Sequence, residues 1–69
     1  MAQEKPDTDF EVSGGGTIYL LHPLTEAAAH WIATHIPEDA PMLGDAVAVE
    51  HRFIGTIVEG ITNDGLTVQ

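Results

Sequence analysis

Cysteine is absent from this 69-residue chain, which excludes disulfides, thiolate metal sites and cysteine nucleophiles and removes any reading of redox compartment. Basic side chains are nearly absent too: Lys5 and Arg52 stand against 11 Asp and Glu, for a formal net charge of -9 at pH 7. Direct binding to nucleic-acid phosphates or to an anionic membrane is excluded on that balance, because both need a cationic surface that displaces counterions. No apolar run approaches the ~20 residues that span a bilayer, and the first residues lack the basic-then-apolar order of a secretory signal, so a soluble intracellular protein is expected. The length admits one small domain, and such a chain hides only about 60% of its unfolded surface, leaving little stability to hold a strained active site. What is present is a 43% hydrophobic content, ordinary for a folded domain and too high for a disordered acidic chain.

Residues 1–9 carry four charges, one proline and no large apolar side chain after Met1, the composition of a flexible acidic tail, so a single domain is expected over residues 10–69. Phe10, Glu11, Val12 and Ser13 alternate apolar with polar, and after Gly14, Gly15 and Gly16 comes a β-branched and aromatic run from Thr17 to Leu21. Two strands joined by a glycine turn are predicted. Pro23 ends the second, and Thr25 followed by Glu26 predicts a capped helix from Glu26 to about His35. Leu24, Ala28, Trp31, Ile32 and His35 or Ile36 form its apolar stripe. Pro37, Glu38, Asp39, Pro41 and Gly44 read as a solvated loop.

A short strand is predicted over Asp45 to Val49, and from His51 the period changes. Phe53, Ile54, Ile57, Val58 and Ile61 give a second amphipathic helix, in which Gly55 and Gly60 suggest close approach of another backbone. Asn63, Asp64 and Gly65 supply its C-terminal cap, and Leu66, Thr67 and Val68 a last strand. The fold class is α+β: a small mixed three- or four-stranded sheet with two helices on one face, in the order β-β-α-β-α-β. Its other face is left to the tail, a second copy, a partner or water.

Catalytic and metal chemistry find little support. His30 and His35 are five apart on one helix, whereas a ligand pair needs three or four, so His22, His30, His35 and His51 read as surface or partly packed side chains, and no metal or cofactor is expected. Glu50 beside His51 and Arg52, or Ser13 as a nucleophile, lacks the fixed base and dry pocket that catalysis needs, and no enzymatic activity is expected. Glu50 fits better as a charge or cap at the start of the second helix. The glycine run leads into a strand, not a helix, and is a turn, not a phosphate loop. Trp31 and Phe53 at helical spacing read as core.

The carboxylate excess remains. It can serve solubility alone, or it can imitate a phosphate array and occupy the basic nucleic-acid groove of another protein. The ordered candidates are Glu26, Glu38, Asp39, Asp45, Glu50, Glu59 and Asp64. The segments TIYLLHPLTEAA at 17–28, VAVEHRFI at 47–54 and NDGLTV at 63–68 resemble a group of small acidic proteins of phage and bacterial mobile elements, over about residues 10–68. The chain looks like the small anti-CRISPR inhibitors of type I systems, some of which are DNA mimics. That resemblance implies a cytoplasmic protein of a bacterial host, without enzymatic activity, whose partner is a type I CRISPR effector subunit that reads duplex DNA. The alternative is a protein-protein interaction module or antitoxin-like accessory protein, monomeric or homodimeric.

Overall fold

The computed structural model describes residues 8–69, in which the glycine run makes the first hairpin. β1 (Phe10–Gly15) pairs antiparallel with β2 (Ile18–Pro23), and the register of Gly15 opposite Ile18 leaves a two-residue loop of Gly16 and Thr17. Gly16 takes a φ of +69°, the first-position geometry of a type II′ turn that matches the twist of its strands. Gly14 is constrained more tightly: at φ +94° a Cβ there would lie 2.9 Å from the Ile18 carbonyl oxygen. α1 (Glu26–His35) follows, starting where Thr25 accepts the Ala28 N–H at 3.1 Å, a cap that contributes about 1 kcal/mol.

The remaining elements are β3 (Met42–Leu43), β4 (Ala46–Glu50) and α2 (His51–Asn63). The four strands form one sheet in the order β1-β2-β4-β3, antiparallel at every junction. The α+β class with two helices is as expected, but the element order is β-β-α-β-β-α, and the expected β-β-α-β-α-β is corrected at two points. Met42 and Leu43, assigned above to a loop, form a short strand whose two-residue turn places Gly44 at φ +64°. Two residues are too few to show an alternation, and Gly44 with Asp45 is itself a hairpin turn. The last strand reduces to a parallel bridge of Val68 with Phe10, held by bonds such as Gln69 N–H to the Phe10 carbonyl at 2.9 Å. It nonetheless covers the outer edge of β1.

Strand alternation sends Phe10, Leu21, Val47 and Val49 to one face, where they pack with Ala28 and Trp31 of α1 and Ile61 of α2, so both helices lie on that face. Each fully buried side chain of this size contributes about 1.5–3 kcal/mol. Trp31 meets Phe10 edge-on at 5.9 Å. α2 ends in a Schellman motif, with Leu66 N–H bonded to the Ile61 carbonyl, Gly65 N–H to the Thr62 carbonyl, and Gly65 at φ +88°. The backbone approach expected at Gly55 and Gly60 is absent: Gly55 faces open space, and a Cβ on Gly60 would make ordinary contact with the Trp31 ring at 3.6 Å. Phe53, expected in the core, lies in the first turn of α2 and is half-exposed.

Of the expected tail, residues 1–7 lie outside the described residues, while Asp9 is tied into the fold. Its carboxylate accepts the Thr25 hydroxyl at 2.8 Å and the Thr67 N–H at 3.1 Å, and its carbonyl accepts the Leu24 N–H. One side chain thereby joins the start of α1 to the C-terminal segment. Among the described residues, no helix is long and apolar enough to cross a membrane.

Candidate functional site

All seven candidate carboxylates are exposed, but they do not form one ridge. Glu26 opens α1, just after Pro23 at one end of β2, and Asp45 turns into β4 at that same end of the sheet. Glu50 pairs with Ile18 at the opposite end, about 17 Å away along the strand. Glu38 and Asp39 form the turn that follows α1, and Glu59 lies on the outer side of α2. Glu50 sits at the N-cap position of α2 without capping it: the side chain makes no cap bond and instead accepts from Arg52 Nε at 3.0 Å.

Asp64 has structural work of its own. Its Oδ2 accepts the Trp31 indole N–H at 2.7 Å and lies 3.5 Å from His35 Nε2, while the His35 ring stacks on Trp31 at 4.2 Å and 10°. The α1 and α2 ends are thus joined through a side-chain cluster whose ion pair exists only when His35 is protonated. On the sheet face opposite the helices, Ser13 Oγ lies 3.1 Å from His22 Nε2, with Glu11 directly across from His22 in the register. These groups share an exposed strand surface. Among the described residues, no three His, Cys, Asp or Glu come together as a metal site.

One concave feature was not legible from the chain. A groove of 310 Å³ runs between the loop after α1 and the junction of β4 with α2, walled by Ile36, Pro37, Ala40, Val49, Phe53 and Ile57. Glu50 is the one charged side chain in its lining. Glu38 and Asp39 stand between two lining residues, Pro37 and Ala40, so the turn that carries them borders the groove. Arg52, bonded to Glu50, holds its guanidinium 5.1 Å from the centre of the Phe53 ring. The signals were the two prolines that bracket the acidic pair and the aromatic in the first turn of α2, but only the folded backbone brings them to one place. In comparisons with known proteins, no family model matches the chain, and no curated protein or solved structure matches it.

Proposed function

We propose that this protein is a non-enzymatic binding domain whose carboxylates dock into the basic nucleic-acid groove of another protein. The target class named by its resemblance to anti-CRISPR inhibitors is a type I crRNA-guided surveillance complex. An acidic ligand in the channel that reads duplex DNA would prevent target recognition without any chemical step. The observation that carries this reading is the state of the seven candidate carboxylates: all face solvent, and of these seven only Glu50 is paired with a lysine or arginine side chain. Charge that the fold does not neutralise is available to a cationic partner and raises the rate at which the two meet.

Because the carboxylates are dispersed, the contact is assigned to the two that border the groove without a lysine or arginine partner among the described residues, Glu38 and Asp39. The pair Glu38→Lys with Asp39→Lys is expected to weaken binding to a type I effector complex at least tenfold, whereas Glu26→Lys, at the opposite end of α1, changes it less than threefold. Binding retained by the folded double variant contradicts the assignment.

A second reading has its own observation. Ile18 and Leu43, 42% and 65% exposed, lie on the sheet face opposite the helices, as an interaction module or homodimer sealed through that face requires. It predicts association that survives high salt, read by sedimentation equilibrium.

A further inference from the structure

We propose that the groove between the α1–β3 loop and α2 is a docking site for a short segment of a partner protein that presents one apolar anchor side chain flanked by lysine or arginine. The inference rests on the reading that the acidic surface meets a basic protein, and it narrows that reading to one place and one chemistry.

Three observations lead there. The walls are aliphatic and aromatic, and Phe53 keeps 51% of its surface in water, which is apolar area left for a partner to cover. At 310 Å³ the space is at the lower limit of ligand pockets, of a size for one or two side chains rather than a large cofactor. Its border is acidic: Glu50 lines it, and Glu38 and Asp39 stand on the adjoining turn. An anionic metabolite or lipid is repelled by that border. A second copy of the chain is a poor occupant as well, since Lys5 and Arg52 are all the Lys and Arg it could bring.

The chain's own Arg52 displays the expected chemistry within the molecule. Its guanidinium bonds the Glu50 carboxylate at 3.0 Å and stands 5.1 Å from the Phe53 ring centre, so this corner already accepts a cation beside an apolar surface. A partner's arginine or lysine would meet Glu38 and Asp39 in the same way, while its apolar neighbour enters between Ile36, Phe53 and Ile57. The apolar contact supplies what charge alone lacks, a fixed register and binding that persists in part at high salt.

The test is selection of a displayed random 12-residue peptide library on the immobilised full chain, followed by titration of the selected peptides into isotope-labelled protein. Selected peptides are expected to carry Leu, Ile, Phe or Trp next to Lys or Arg and to shift the amides of Ile36, Ala40, Val49, Phe53 and Ile57. Binding should weaken at least tenfold in Phe53→Ser, and similarly in Glu38→Gln with Asp39→Gln, which removes two charges and leaves the groove walls intact. Basic peptides with no apolar anchor, bound equally by Phe53→Ser, would overturn the groove while leaving the acidic-surface reading standing. Selection of no basic peptide at all would overturn both, and shifts confined to Ile18, Leu20 and Leu43 would move the site to the open sheet face.

Discussion

The connections that Asp9 makes are of different kinds. Its carboxylate accepts from Thr25, the residue that caps α1, and from the backbone of Thr67, so its loss loosens a helix start and the C-terminal bridge together. Bonds to a charged group are the stronger class, about 1.5–3 kcal/mol each. Asp9→Ala is expected to lower unfolding stability by about 2–3 kcal/mol in urea denaturation, with partial recovery in Asp9→Asn, which keeps an acceptor. Asp64 presents the same question in a different setting, because it counts among the binding candidates yet holds the indole N–H of Trp31. Asp64→Ala is expected to destabilise the fold by about 1–2 kcal/mol by leaving that donor without its partner. Asp64→Asn should stay within about 0.5 kcal/mol, since the amide oxygen can take its place. The chain's one tryptophan reports both changes directly by fluorescence. An Asp64→Ala variant as stable as the parent would mean that the Trp31 bond contributes nothing net.

At the scale of elements, the local signals and the structure agree where the determinants are close in sequence. The α1 span follows from Thr25, Glu26 and the apolar spacing up to His35, and the α2 end from Gly65, because caps and periodicity are properties of a few neighbouring residues. Met42 and Leu43 were hidden because a two-residue strand exists only through its pairing with Ala46 and Val47. The half-exposed Phe53 was hidden because helical spacing tells which residues share a stripe and not how much of that stripe the rest of the fold covers. The two glycine classes give a sharp contrast. Gly55→Ala, in mid-helix and facing open space, is expected to raise stability by about 0.5–1 kcal/mol. Gly14→Ala, at φ +94° with the Ile18 carbonyl 2.9 Å from the new Cβ, is expected to lower it by about 2 kcal/mol or more. Thermal and urea unfolding of the two variants check this, and equal effects would refute the strained geometry of Gly14.

For the whole molecule, the charge of -9 was readable from composition, whereas its distribution was not. The fold separates Glu26 and Asp45 from Glu50 by the length of the sheet, engages Asp64 internally, and places Glu38, Asp39 and Glu50 beside an apolar groove. A neutral helper of solubility and a mimic of nucleic-acid charge share the same composition, and they differ in what they displace. The measurement that separates them most directly is a gel shift of target DNA on purified type I surveillance complex, with and without a stoichiometric amount of this protein, at low and high salt. The account predicts loss of DNA binding at low salt and partial recovery at high salt, as competition between two anionic ligands for one basic groove requires. DNA binding unchanged by the protein at both salt concentrations would contradict it.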